Sequence, residues 1–524
     1  MPTLPTLSLF GTAAENFYQL GRQDRAGLNL PPALPAVPPP PSIAAEFLNF
    51  LIKSPLQTLL RHALDHHPTL QEHLRAYAEG RGLDLTTVAV NLVLPDFYPL
   101  LLRANQEVPL PLASSATFLR RDATGLTHFK TLEAAYPLPG HDQLRVVQFV
   151  SPHYPRILTW SYPGWPFPHG LALTSEGLRV SWHHLPTDKF NPHGQPLCEL
   201  VWQLLNNAHD LKSAFVFLKT CQVFTAASII ISNLHGQVGQ VILEGDRPIV
   251  RLPRSRDFYY FNRYETLPLR PRSLLRPLQA QYHQQKRTAL AFLAANQDLT
   301  TQEFWPELLN PSCPGIWRPT TVALAALHEQ QLEIAYLTSA TPGHYQINWP
   351  TLPAVPSAST SLCTASTVAG IDLTESPRAF ALAVQTATQA FQNRDYAKAA
   401  TALADAQTLA PEKTWQKYLA VYAALNSYFL LPEHPHDAWW KLQAQLKAFR
   451  PTLPPPWPDH LTLFIARINK ILGTPPPRLK VESPLIKRLL ASERHLPPAV
   501  FLATTRFLTQ LRPDILEIVY PHAT

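Results

Sequence analysis

Between residues 113 and 340 the chain runs as short β-branched and aromatic segments broken by turn residues, whereas over 376–524 its apolar residues recur at spacings of three and four. This change of period constrains the fold more than any other feature. A period of two lays apolar side chains on one face of a strand, and a spacing of three and four lays them on one face of a helix. The segments TFLRRD, LTHFKTLE, QLRVVQFVS, RILTWSY, GLALTSEGLRVSWHHL, ASIIISN, GQVGQVILEG and RPIVRLP read as strands. LCELVWQLLNNAHDLKSAFVFLKT and SLLRPLQAQYHQQKRTALAFLAAN interrupt them as helices. Helices segregated from antiparallel strands predict an α+β layered domain.

The flanks differ in texture. PPALPAVPPPP at 31–41 is too proline-rich for helix or sheet and reads as an extended polyproline insert. After it, IAAEFLNFLIKSPLQTLLRHALDHHP and TLQEHLRAYAEGRG carry helical spacing. His62 and His66 stand four apart beside Asp65 and His67, a spacing that can hold a metal, but no third ligand follows at a suitable interval. Cationic groups closing a helix C-terminus explain them better, and no metal is expected. TLPAVPSASTSLCTASTVAG has the small, polar composition of a linker, which sets a boundary at 341–375. Beyond it, SPRAFALAVQTATQAFQNRDYAKAATALADAQTLAPEK resembles one tetratricopeptide repeat, with Ala387, Tyr396, Ala399, Leu403, Ala406 and Pro411 at that spacing. A second, looser unit follows, and a plain helical bundle is the alternative.

Composition narrows the function classes. An apolar content of 46% over 524 residues is enough to fill several cores, so a disordered chain is excluded. No apolar run reaches the length of a membrane span, and the N-terminus lacks a basic segment followed by an apolar one, so a cytoplasmic location is expected. Cys198, Cys221, Cys313 and Cys363 form no CxxC pair, which argues against a disulfide framework or a zinc site. The net charge of +7 is mild, but Arg247, Arg251, Arg254, Arg256, Arg263, Arg270, Arg272 and Arg276 crowd one window. A solvated surface accounts for them, and nucleic acid is disfavoured as a partner because no binding motif or stacking platform accompanies them.

The stretch PLASSATFLRRDATG opens a hairpin on small hydroxyl residues, and HFKTLE returns from its turn. Together with SLFGTAAENFYQLGRQDRAG, LALTSEGLRVSWHHL, SIIISNLHGQVGQVILEG, YYFNRYE and TTVALAALHEQQLEIAYL, in that order, this hairpin resembles the acyl-coenzyme A:6-aminopenicillanic acid acyltransferase group. That group comprises the autoproteolytic C45-type peptidases among the N-terminal-nucleophile hydrolases, related to choloylglycine hydrolases and acid ceramidase. The resemblance runs to residue 340 and leaves out the C-terminal helices. It implies an αββα sandwich over 113–340, preceded by a helical, pro-segment-like region at 1–112 and followed by a helical, tetratricopeptide-like domain at 376–524.

The resemblance also implies chemistry. Such enzymes cut their own chain before a nucleophile, usually cysteine, and the freed α-amine, with a reference pKa of about 7.7–8.0, becomes its general base. Aligning the turn RRDATG places Ser115 at the nucleophile position, and counting back from the return strand without a gap places Ser114 there. Where the family reads HGRNLD this chain reads HFKTLE, so Lys130 replaces arginine, Thr131 asparagine and Glu133 aspartate. A lysine is a point charge and cannot reproduce the guanidinium fork. Asn262 stands at the oxyanion position, with Phe261 in place of the family's threonine. The resemblance therefore implies hydrolysis or transfer of an acyl group at an amide or thioester, acting on a small acylated substrate without a cofactor. A catalytically inactive homologue that binds a ligand, with C-terminal helices that dock a protein, is the alternative.

Overall fold

The computed structural model describes residues 4–27, 60–61, 63–89, 92, 96, 115–123, 125–133, 144–185, 190–244, 248–253, 258–261, 279–309, 321–328, 331–336, 343–348, 364–368, 379–380, 383–384, 386–387, 390, 395–410, 413–430, 436–453, 457–475, 480–482 and 484–496. Its strands are β1 (Thr6–Phe10), β2 (Ala116–Asp122), β3 (Gly125–Glu133), β4 (Arg145–Val150), β5 (Ile157–Ser161), β6 (Leu171–Thr174), β7 (Arg179–His184) and β8 (Ala227–Ser232). They continue as β9 (Val238–Leu243), β10 (Ile249–Arg251), β11 (Phe258–Phe261), β12 (Thr321–His328), β13 (Gln331–Tyr336), β14 (Gly343–Asn348) and β15 (Thr364–Thr367). One sheet has the order β1-β4-β5-β6-β7-β8-β9-β10, and the other β11-β2-β3-β12-β13-β14-β15. The β1–β4 pair is parallel, and every other pair is antiparallel.

The helices that accompany them are α1 (Ala13–Gly27), α2 (Pro68–Arg81), α3 (Leu197–Asn207), α4 (Leu211–Lys219), α5 (Gln279–Ala295) and α6 (Thr301–Leu309). Alternation along the strands sorts the side chains into layers. Val147, Phe149, Val180, Ile229, Ile231 and Val241 of the first sheet share one core with Phe17, Leu20, Leu70, Leu74, Leu200 and Leu204 of the helices. Their neighbours Val146, Leu158, Leu171 and Leu173 point the other way and pack with Leu132, Ala323, Ala325 and Ile334 of the second sheet. On the far side of that sheet, Phe118, Phe129, Leu324 and Ala326 meet Leu293, Phe304, Trp305 and Leu308. The order is helices, sheet, sheet, helices, so the chain is α+β with the four-layer αββα arrangement expected from the sequence. Each fully buried aliphatic side chain contributes about 1.5–3 kcal/mol.

Two glycines allow a close contact in the outer layer. A Cβ on Gly21 of α1 would lie 2.3 Å from the Tyr77 carbonyl oxygen, and one on Gly80 of α2 would lie 2.2 Å from that of Tyr18. The two helices cross backbone to backbone. Below the crossing, Asp24 is buried and accepts hydrogen bonds from Tyr77, from Arg145 of β4 and from the Gly164 amide at 3.0 Å.

Two boundaries read from the sequence shift. Residues 341–375, read as a linker, supply β14 and β15, which extend the second sheet from β13. Small and threonine-rich segments satisfy an edge strand once a partner offers its free backbone groups, and composition alone does not show that partner. The 1–112 region, read as helical, also supplies β1, seated against β4. The helices α7 (Tyr396–Leu409), α8 (Lys413–Leu430), α9 (His436–Phe449), α10 (Trp457–Ile471) and α11 (Pro484–Glu493) follow. Those from α7 to α10 surround a core of their own that includes Leu403, Tyr422, Leu425, Leu446, Phe464 and Ile465. Among the described residues no helix is long and apolar enough to cross a membrane. His67 is engaged with the Gly194 carbonyl at 2.9 Å, while His62, Cys313, Cys363 and the polyproline insert lie outside the described residues. Of the eight clustered arginines, only Arg251 is described.

Candidate active site

The candidate site lies between the two sheets, where strand alternation turns polar. On β2 and its approach, Ser115 and Thr117 share a face. So do His128 and Lys130 on β3, Ser181 and His183 on β7, and Ser228 and Ser232 on β8. These are the inward positions, since their neighbours Phe118, Phe129, Val180 and Ile231 belong to the outer cores. All are buried except Ser115, which is half-buried.

The β2–β3 hairpin fixes Ser115. Thr117 pairs with Lys130 across it, and the Ala116 amide donates to Thr131 Oγ1 at 2.7 Å, which pins the chain just after Ser115. At the turn, the Gly125 amide donates to Asp122 Oδ1 at 3.1 Å, and Gly125 has φ 135°, a backbone angle that side chains disfavour. Lys130 is only 2% exposed. Its Nζ donates to Ser115 Oγ at 2.9 Å and to the Trp182 carbonyl at 3.0 Å. The same ammonium lies 3.3 Å from Nδ1 and 3.1 Å from Nε2 of His183, a near-equal approach that places it over the imidazole and not along one lone pair. Gly170 packs beside the lysine stem, and its φ of 76° is a backbone conformation that favours glycine.

His183 reaches the same hydroxyl, with Nδ1 3.2 Å from Ser115 Oγ. Its Nε2 lies 2.8 Å from Thr117 Oγ1. From there the contacts continue through Thr117 Oγ1 to Ser181 Oγ at 2.9 Å, Ser181 Oγ to His128 Nε2 at 2.8 Å, and His128 Nδ1 to Ser232 Oγ at 3.0 Å. Burial, then the Arg179 and Lys130 charges, hold His128 well below the usual imidazole range, so it is neutral.

Of the residues singled out from sequence, Ser115 and Lys130 are in hydrogen-bond contact. Ser114 lies outside the described residues. Glu133 ends β3, where the pairing with β12 slips by one residue between Thr321 and Ala323, and its side chain lies outside the described residues. Asn262 directly follows Phe261, which pairs with Ala116, and is itself outside the described residues. His183, Thr117, Ser181 and His128 escaped the sequence reading. The signal that locates them is polar residues at alternate positions of otherwise apolar strands, which places them on one face without saying what they face.

No protein-family model matches the chain, and no curated protein matches it. Among solved structures it is similar to the N-acylethanolamine-hydrolyzing acid amidase ortholog of Caenorhabditis elegans, at 11% identity and TM-score 0.32, over 40% of this chain and 92% of that one. It is also similar to a mutant conjugated bile acid hydrolase from Clostridium perfringens, at 9% identity and TM-score 0.33, over 44% and 91%. A third similarity is to penicillin V acylase from Agrobacterium tumefaciens, at 12% identity and TM-score 0.32, over 45% and 86%.

Proposed function

We propose that this protein hydrolyses or transfers an acyl group held in an amide or thioester, with Ser115 as nucleophile. The observation that carries the reading is a half-buried serine hydroxyl held 2.9 Å from a buried ammonium. Negative charge left on Ser115 Oγ as its proton departs is stabilised by Lys130 in a largely buried site, where such an interaction is stronger than in water, and this favours the nucleophilic alkoxide. By the resemblance, Asn262 supplies the oxyanion donor, Glu133 orients the substrate, and the proton of Ser115 passes to its own α-amine once the chain is cut. The tetratricopeptide-like helices of 376–524 then serve to dock a protein, outside the chemistry.

A second reading, an inactive binding scaffold, is favoured by one observation. Lys130 spends donors on Ser115 and on the Trp182 carbonyl, and so holds the hairpin against β7 as a structural tie. Steady-state assay against a panel of acyl amides and acyl thioesters decides between the readings. Turnover that disappears in Ser115→Ala supports the enzyme, and a panel without turnover, combined with saturable binding of an acylated ligand, supports the scaffold.

A further inference from the structure

We propose that His183, delivered from the opposite sheet, is the general base for Ser115 in an uncut chain, held in the required tautomer by the buried hydroxyls and imidazole behind it. This inference rests on the acyl-transfer reading above and replaces the α-amine with a side chain.

The hydrogen bonds are consistent in only one direction for that role. For Nδ1 of His183 to accept the Ser115 proton at 3.2 Å, its Nε2 must carry hydrogen and donate to Thr117 Oγ1 at 2.8 Å. Thr117 then donates to Ser181, Ser181 donates to His128 Nε2, and His128 donates from Nδ1 to Ser232. Ser115, Thr117 and Ser181 each give one hydrogen and accept one, and each imidazole is a neutral single tautomer. A protonated His128 would present two donors and leave Ser181 without an acceptor at that point, so its neutrality is what lets the chain run toward Ser232. The members come from four strands in two sheets, so Thr117, Ser181 and His128 are positioning residues for a base that touches the reacting atom.

The steps balance. As Ser115 Oγ bonds to the acyl carbon, its proton moves to His183 Nδ1. The tetrahedral intermediate collapses by breaking the C–N or C–S bond, and the same proton passes to the departing nitrogen or sulfur. Water, or an amine acceptor in transfer, then attacks the Ser115 ester and loses a proton to Nδ1, which returns it to Oγ. The N–H of Lys130 on Ser115 favours the alkoxide.

The test uses the full-length chain and a fluorophosphonate that captures activated serines, read by intact mass and peptide mapping. The expected result is an adduct at Ser115 on an uncut chain. Labelling should fall by about a hundredfold or more in His183→Gln, as expected on losing a general base. Thr117→Val should slow it about tenfold while Thr117→Ser restores it, a pattern that a packing role for Thr117 does not produce. An adduct found only on a chain cut before Ser115, or labelling of His183→Gln at the wild-type rate, overturns the inference and leaves acyl transfer standing. Absence of any adduct, cut or uncut, overturns both.

Discussion

Replacing Lys130 by methionine separates its charge from its bulk. The side chains are similar in length, and a buried charge replaced by a well-packed apolar group commonly leaves stability unchanged or raised. Lys130→Met is therefore expected to keep or raise the thermal midpoint while acyl-transfer rate falls by about a hundredfold or more, the usual cost of removing one such stabilising donor. Calorimetry and turnover measured on the same preparation check this, and a variant that loses stability but keeps its rate would make Lys130 structural. Processing is also decided at this scale. Cutting before Ser115 requires its hydroxyl to attack the preceding carbonyl before any free amine exists, with a lysine where the family has a guanidinium fork. The purified wild-type chain is expected to run as one band, and Ser115→Cys is expected to yield some cleavage between 114 and 115, because a thiolate depends less on a strong base. N-terminal sequencing of any fragment gives the result directly. Ser115 and Lys130 were singled out by the resemblance of the hairpin, and the pairing that brings their strands side by side follows from its turn.

Where α1 crosses α2 the two helix backbones come into close contact. Gly21→Ala or Gly80→Ala would force a methyl group to 2.3 or 2.2 Å from a carbonyl oxygen of the facing helix, so the helices must move apart and strain the Asp24 network beneath them. Each variant is expected to lose about 1–3 kcal/mol, the usual cost of overpacking, read as a lower urea midpoint. A neutral effect at both positions would mean that the crossing is loose. Helical spacing identified α2, and its GRG stop gave its end, where Gly82 takes φ 74°. The close crossing was not legible, because nothing in the spacing of one helix specifies which residue its partner brings opposite. The strands β14 and β15 show the same limit, since their composition is that of a linker and pairing with β13 and with each other defines them.

At the scale of the whole molecule, folding couples to pH through buried Asp96. Burial pushes its carboxyl up to about 8, against hydrogen bonds from the Leu197 amide and the Thr225 side chain that lower it. The folded state thus keeps a proton that the unfolded chain releases near its reference value of about 3.9, so this group's contribution falls as pH rises from about 4 to about 8. Asp96→Asn keeps the shape and removes the titration. Its stability relative to wild type is expected to climb across that window, by several kcal/mol in order of magnitude at the upper end, in denaturant curves at a series of pH values. A difference independent of pH would show that Asp96 is ionised when folded. The sequence by itself determined the period of each segment, and with it the strands from β2 to β10, most helices and the α+β class, because local alternation decides which side chains share a face. Only the tertiary structure decided which face meets helices and which meets the other sheet, since both faces of these strands are buried and the pattern within one strand is the same either way. It also placed β11 beside β2 and β12 beside β3, pairings across long stretches of chain whose stability belongs to the assembled sheet. His183 reaches Ser115 for that reason: a strand's sequence fixes the face on which a side chain stands, and the packing of the two sheets fixes what that side chain touches.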